Sequence, residues 1–269
     1  MLKNQKAIVT GGLKGIGKGV SEALLRNGAM VAIVDIADHL WHEINNDWTN
    51  KFPNGQFYYV KCDLFNRQST ISAFKEAYEI LDGLNIVINN AGIYDESDWE
   101  RSIDINLKAM IRVAYIGINL MSKEKGHFGG TIINSASGGG LSTVGFPSYC
   151  AAKHGVTSFT RSMSAIPEFY KLHGVRINSM CLGAVHTDMT QQHDLRQSEE
   201  LDALPSLHLV NKIKREIVNS MSSEDMIPLE KAGDLYVKLI RDTNAHGENM
   251  IYISKYQKEP YYHEFKGLN

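Results

Sequence analysis

Cysteine is scarce in this chain: Cys62, Cys150 and Cys181 are an odd set of three in 269 residues, with no paired short spacing. That excludes a disulfide framework or a zinc knuckle and points to a reducing compartment. No apolar run approaches the roughly 20 residues that span a bilayer. Charge of one sign is not in excess either. The formal net charge is −2, so neither nucleic acid nor an anionic membrane is expected as a partner. Met1-Leu2-Lys3-Asn4-Gln5 leads straight into a strand-like run, with no room for a signal peptide, and the cytoplasm is the expected location. Internal repeats and low-complexity linkers are absent. Ten histidines are present, but His39, His42, His154, His173, His186 and His193 do not form a zinc-type ligand set, so no metal is expected.

What is present is a soluble composition, 43% hydrophobic and 22% charged, laid out as alternating strand-like and helix-like segments. Buried strands are expected at Lys6-Ala7-Ile8-Val9, Met30-Val31-Ala32-Ile33-Val34, Phe57-Tyr58-Tyr59-Val60, Asn85-Ile86-Val87-Ile88, Thr131-Ile132-Ile133-Asn134, Val175-Arg176-Ile177-Asn178 and Met250-Ile251-Tyr252-Ile253. Helices are expected from about Gly17 to Asn27, Ser69 to Leu81 and Trp99 to Met121, with another starting near Ser148. The last carries Ala152, Val156, Phe159, Met163 and Ile166 near a 3.6-residue period, and Pro167 should kink or restart it. This order predicts an α/β fold: a doubly wound, mainly parallel sheet of Rossmann type, with helices on both faces and no internal domain boundary. The segment 189–228 interrupts the alternation and is expected to cover a substrate site, a solvated helical hairpin being the alternative.

Three patterns carry chemistry. Thr10-Gly11-Gly12-Leu13-Lys14-Gly15-Ile16-Gly17 joins the first strand to the first helix. Gly11, Gly15, Ile16 and Gly17 are therefore the expected cradle for a pyrophosphate on a helix N-terminus. Asp35 ends the second strand, 18 residues beyond Gly17, where an acidic side chain accepts bonds from an adenosine ribose and repels a 2′-phosphate. Lys14 argues the other way, as a cation able to pair with that phosphate. The stronger weight falls on Asp35 and hence on NAD. Tyr149 and Lys153 are four residues apart, on one face of a helix. A phenol titrates near 10, too high for neutral-pH proton transfer, and a nearby ammonium should lower it. The pair can then serve as an acid/base device for an alcohol or carbonyl. Ser137 follows a strand at its C-terminal end, where this architecture gathers ligands; Ser135 is its rival two residues earlier.

In this order the motifs, with Asp63-Leu64, Asn89-Asn90-Ala91-Gly92 and Asn106 between them, resemble the short-chain dehydrogenase/reductase family. The likeness runs from about residue 5 to 190 and more loosely to 253. Tyr149-Cys-Ala-Ala-Lys-His-Gly155 together with Asp35 is most similar to the NAD-using branch that holds 15-hydroxyprostaglandin dehydrogenases and insect-type alcohol dehydrogenases. The resemblance implies that Tyr149 exchanges the proton with the substrate oxygen. Lys153 would tune Tyr149 and hold the nicotinamide ribose, and Ser137 would hydrogen-bond the reacting oxygen. Asn106 would kink its helix and hold a relay water. It further implies Asp63 at the adenine amino group, Leu64 beside the ring, Asn89, Ala91 and Gly92 along the cofactor cleft, and Val185 and Thr187 at the carboxamide, with His186 between them. Pairing through the long helices after the fourth and fifth strands, as a homodimer or homotetramer, is implied as well. Two departures stand out: Leu182-Gly183 replaces the usual Pro-Gly, and the Ser137–Tyr149 segment is short and carries three successive glycines.

The expected function is NAD-dependent oxidation of a mostly apolar secondary alcohol, or reduction of its ketone. Val144, Phe146, Ala184, Met189, Leu201, Leu204, Leu207 and Val210 are candidate lining. An NADP-linked carbonyl reductase and a dinucleotide-binding protein with little turnover are the alternatives.

Overall fold

The computed structural model describes residues 1–53, 55–96, 98–142, 146–191, 212, 216, 226–254 and 256–263. Eight strands form one sheet: β1 (Lys6–Thr10), β2 (Met30–Asp35), β3 (Phe57–Lys61), β4 (Ile86–Asn89), β5 (Gly130–Ser135), β6 (Val175–Leu182), β7 (Asn249–Tyr252) and β8 (Tyr261–Tyr262). Their order is β3-β2-β1-β4-β5-β6-β7-β8, and every neighbouring pair is parallel except β7–β8. The chain turns from β1 towards β3 on one side and towards β4 on the other. The crevice above the C-terminal ends of β1 and β4 is therefore the topological switch point, where folds of this kind bind ligands.

The strands are apolar on both faces because both are covered. Ala7 and Val9 of β1 join one core with Val31, Ile33, Ile86 and Ile88. Ile8 points to the opposite core with Ala32, Val34 and Val87. The first core is closed by α1 (Gly15–Arg26), α2 (Trp41–Lys51) and a late helix, α9 (Leu229–Arg241); the second by α3 (Arg67–Leu81), α5 (Met110–Met121) and α6 (Pro147–Ser164). Helices α1 and α9 cross closely: a Cβ on Gly233 would lie 2.4 Å from the Gly19 carbonyl oxygen.

Of two expected helices, one is divided by the structure and the other follows the sequence reading. The span from Trp99 to Met121 is divided into α4 (Trp99–Ile103), a π-helical turn (Asp104–Ala109) and α5. The widened turn contains Asn106, whose buried amide bonds to the Ile93 backbone; a π turn at such a site is a common feature of functional regions. Helix α6 opens with Pro147 at its first position, where the missing N–H is no loss, and ends at Ser164. After Pro167 the chain restarts as α7 (Phe169–His173), entered through Glu168 at φ 63°. The short α8 (Asp188–Gln191) follows β6. Most of 189–228 lies outside the described residues, including the candidate lining positions Leu201, Leu204, Leu207 and Val210, as do Val144 and 264–269. Both flanks of the segment are described and meet: Val185 bridges Ile227, and the His186 amide donates to the Ile227 carbonyl at 3.1 Å. No described helix is long and apolar enough to cross a membrane.

Candidate active site

The glycine-rich turn between β1 and α1 is braced from β4. Asn90 donates its side-chain amide to the carbonyls of Thr10 (3.1 Å) and Gly11 (3.2 Å), while the Thr10 hydroxyl accepts from the Asn90 and Ala91 amides. Gly17 lies so close beneath that a Cβ there would sit 2.0 Å from the Gly11 oxygen and 2.6 Å from Asn90 Nδ2. No side chain caps the N-terminus of α1, so the first-turn N–H groups face the cleft with the helix dipole behind them. Across the turn stands Thr187: a Cβ on Gly15 would lie 3.5 Å from its Cγ2. These features fit a pyrophosphate at the N-terminus of α1, with Thr187 closing the cradle at Gly15.

Asp35 is 7% exposed at the end of β2. Its two carboxylate oxygens accept from Leu13 N and Ala37 N, each at 3.0 Å, so the carboxylate is held against the glycine-rich turn at the ribose position. The residues that follow, Ile36, Ala37 and Asp38, bring no cation, and Asp38 is ion-paired with Lys61. Lys14, the N-cap residue of α1, is exposed.

The acid/base group lies beyond the ends of β5 and β6. Ser137 is extended (φ −168°) before the Gly138–Gly140 turn and accepts from Gly139 N at 3.1 Å. Its hydroxyl also lies near enough to the Tyr149 hydroxyl to influence it. Burial pushes the Tyr149 phenol above its ordinary value, and the Ser137 hydroxyl pulls back against that rise. The phenol is thus raised, not lowered as the Tyr–Lys spacing alone suggests. Lys153 is 5% exposed, its Nζ lies 5.6 Å from the Tyr149 ring centre, and it donates to the Ser135 carbonyl at 2.7 Å. Burial brings its pKa down to about 8, which makes this ammonium far readier to release a proton than an ordinary lysine. The rival Ser135 has another partner: its hydroxyl shares a 2.6 Å bond with Tyr236 of α9.

The remaining predicted residues occupy two environments. Gly92 faces the catalytic group: a Cβ there would lie 2.7 Å from Asn106 Oδ1 and 3.7 Å from Lys153 Nζ. Asn106, 1% exposed, accepts from Ile93 N and donates to Ile93 O and Ser102 Oγ. Val185 is buried with its carbonyl accepting from Thr190. Asp63 accepts from Phe65 N, and the Leu64 carbonyl accepts from Arg112, which ties this edge to α5. Asn89 is turned into the protein interior, where it donates to Met110 O (2.7 Å) and Asn134 Oδ1 (3.1 Å). Asn134 in turn donates to Thr160 at 3.0 Å, so this amide chain joins β4, β5, α5 and α6 beneath the site.

Sequence reasoning missed three contributors. Asn90 braces the phosphate turn. Tyr94 packs its ring on Tyr149 (5.1 Å between centres) and on Phe146 (4.8 Å). Glu96, 7% exposed, accepts from Ser148 N (3.1 Å), Ser148 Oγ (2.7 Å) and Tyr149 N (2.9 Å). No local signal marks the last two, because their partners lie about 50 residues away. Among the described residues no group of three His, Cys, Asp or Glu side chains could hold a metal ion.

A switch-point cleft with a glycine-rich turn, a carboxylate at the end of β2 and a tyrosine and serine beside a buried lysine defines a nicotinamide-dinucleotide oxidoreductase of the Rossmann type. Residues 5–198 match the short chain dehydrogenase family, and the chain belongs to it. It is 39% identical over 182 residues to the 15-hydroxyprostaglandin dehydrogenase (NAD(+)) of Macaca fascicularis, covering 67% of this chain and 68% of that one. It is 31% identical over 212 residues to alcohol dehydrogenase 2 of Ceratitis capitata, covering 75% and 81%. Among solved structures it superimposes on levodione reductase with a TM-score of 0.76 at 21% identity, covering 93% and 96%, a likeness of fold.

Proposed function

We propose that this oxidoreductase uses NAD to oxidise a mostly apolar secondary alcohol, or runs the reverse reduction of its ketone. The observation that carries the reading is the half-buried Tyr149, with the Ser137 hydroxyl close to its phenol and the Lys153 ammonium beside its ring, next to a cleft whose proposed ribose corner is a carboxylate. The dinucleotide, when bound, takes up or gives the hydride. Gly11, Gly15, Ile16, Gly17, Asp35, Asp63, Leu64, Asn89, Ala91, Gly92, Val185 and Thr187 remain the proposed binding set. Within it Asn89 acts through the amide chain under the sheet, not by a side chain in the cleft.

In the oxidation direction Tyr149 takes the proton from the substrate hydroxyl. Ser137 donates to the same oxygen and steadies the negative charge that grows there. Lys153 supplies the positive charge that favours the phenolate. With a pKa near 8 it also passes the proton onward at a pH where an ordinary lysine would keep it. Asn106 holds the loop at Ile93 and so keeps Gly92 against Lys153. Phe146, Tyr94 and Ala184 supply apolar surface near the hydroxyls, and segment 189–228, its ends pinned together at Val185 and Ile227, covers the substrate. The names of the relatives, a hydroxyprostaglandin dehydrogenase and an alcohol dehydrogenase, agree with an alcohol substrate. We also propose a cytoplasmic location, consistent with three free thiols, and a homodimer or homotetramer.

The NADP-linked reading keeps one observation in its favour, the exposed Lys14, and is opposed by Asp35 and by the Asp38–Lys61 pair. A panel of steroids, prostanoids, terpenoid alcohols and short alcohols with NAD tests the function. Tyr149→Phe should lose about 10²- to 10⁴-fold in kcat, the usual range for acid/base catalysis, while NADH binding stays within about twofold. Full activity in that variant would end the mechanism.

A further inference from the structure

Helix α6 carries both Tyr149 and Lys153, so its first turn sets where the phenol lies. That turn is poorly capped by its own sequence. Phe146 occupies the N-cap position and makes no side-chain cap bond; Pro147 follows it. The amides of Ser148 and Tyr149 have no acceptor within the helix, as in every first turn. Both instead meet Glu96, which comes from the loop after β4, 53 residues before Tyr149. Three donors converge on the two oxygens of this one side chain, so it acts there as a carboxylate. It is buried, and a carboxylate at a helix N-terminus is stabilised by the helix dipole.

The same loop is anchored at its other end. Ile93 is held through both backbone groups by Asn106. Between the anchors Tyr94 lies against the Tyr149 ring and Phe146. The loop is therefore pinned to the π turn on one side and to α6 on the other, with Tyr149 between.

We infer that Glu96 is a positioning residue: its carboxylate clamps the first turn of α6 to the loop over the active site and so holds Tyr149 in its working place. The inference rests on the proposed role of Tyr149. The clamp has an electrostatic side as well. The groups around the phenol are Lys153 and Cys150 on α6, Ser137 after β5, Tyr94 on the loop, Tyr236 on α9, and Cys181 on β6 behind Lys153, while Glu96 meets the Tyr149 backbone N–H and raises the Tyr94 phenol. Lys153 carries the positive formal charge beside the phenol, and Glu96 sets a negative one on the backbone amides at the start of the same helix. Glu96 offsets the positive end of the helix that would otherwise favour the phenolate. Neutralising it should make the phenol easier to ionise even as it loosens the phenol's position. A residue that only stabilised the fold would move neither quantity in this way.

Glu96→Gln is the test. Its oxygen keeps one amide partner, while its NH₂ faces the other donors. The expected result is a loss of about 10- to 100-fold in kcat, as a misplacement of the order of 1 Å gives, with the NADH dissociation constant within about twofold of wild type. Tyr149 ionisation, read by ultraviolet tyrosinate absorbance after subtracting Tyr149→Phe, should move down by about half a pH unit. Unchanged kcat overturns the inference. So does a parallel loss of activity, NADH binding and melting temperature with the phenol titration unmoved. The absorbance titration needs no substrate: a wild-type protein inactive on every alcohol refutes the functional reading and leaves the titration to judge Glu96. If Glu96→Gln does not fold, hydrogen exchange on the wild type decides. The Ser148 and Tyr149 amides should exchange as slowly as helix-interior amides, and coil-like exchange at both would overturn the clamp.

Discussion

Asp35→Asn isolates the cofactor choice, because the amide has the carboxylate's shape without its charge. In the native protein the two oxygens accept from Leu13 N and Ala37 N at 3.0 Å each. The asparagine oxygen keeps one of these bonds, and its NH₂ confronts the other N–H. The loss of one hydrogen bond to a charged, nearly buried acceptor costs about 1.5–3 kcal/mol of stability. For NADH, a ribose bond to a neutral acceptor replaces one to a charge, a weakening of about 1 kcal/mol or somewhat under tenfold. For NADPH the sign reverses. A phosphate of about −1.5 charge roughly 5 Å from a carboxylate is repelled by about 5 kcal/mol at an effective dielectric of about 20. Counterions and side-chain adjustment reduce this to about 2–3 kcal/mol at ordinary ionic strength. Relief of that repulsion tightens NADPH by about 30- to 100-fold, so the NADH/NADPH preference should move by about 10² to 10³. Fluorescence titration of each reduced cofactor measures the ratio without a substrate, and a melting curve checks the fold. A shift under about threefold would refute the argument that Asp35 acts through its charge. A wild type that already prefers NADPH would refute the NAD assignment itself.

Two further changes probe the machinery from other directions. Gly17→Ala puts a methyl 2.0 Å from the Gly11 oxygen, which is backbone and cannot swing aside. Denaturant unfolding should show about 1–3 kcal/mol of lost stability, and NADH should bind at least about tenfold more weakly as the phosphate turn is displaced; native-like affinity would contradict this packing. Lys153 has a folded pKa near 8 against 10.5 when unfolded, so the unfolded chain binds more protons between those values and stability rises with pH there. The burden of burying the charge, about 3 kcal/mol, is fully present below pH 8 and gone above 10.5. Relative to wild type, Lys153→Met should remove that rise from unfolding curves taken across the window; parallel curves would show the ammonium is not desolvated.

The sheet was legible because its strands are buried on both faces and appear as short apolar runs such as Ala7-Ile8-Val9 and Val31-Ala32-Ile33-Val34. Helix α2 was not: of its eleven residues only Ile44 and Trp48 are buried, too few to show a period, and Trp48 is held by the distant Glu22. Helix α9 follows a segment without strand–helix alternation, and its close crossing with α1 depends on Gly19 and Gly233, which are 214 positions apart. The unbroken helix expected from Trp99 to Met121 was a correct reading of polarity and an incomplete one of geometry. The π turn forms because Asn106 bonds Ile93, 13 residues back, an attraction no helical period encodes.

The candidate site divides along the same line. Residues whose chemistry is local to one motif, the glycine turn and the Tyr149–Lys153 spacing, could be named from sequence. Residues that act by bracing one motif against another could not. Asn90 stood in a quoted motif, yet its work lies in the Thr10 and Gly11 carbonyls, about 80 positions upstream. The electrostatics followed the same rule. Spacing alone suggested that Lys153 depresses the Tyr149 phenol. In the folded site Lys153 bonds the Ser135 carbonyl, and burial dominates both groups, raising the phenol and bringing the ammonium down to about 8. The two pKa values are thus drawn apart from what spacing predicts in a direction that eases proton release from Lys153 and delays it from Tyr149. In the proposed mechanism the pair would therefore work as a two-step path, in which Ser137 and the substrate oxygen supply the hydrogen bonds that bring the phenolate within reach.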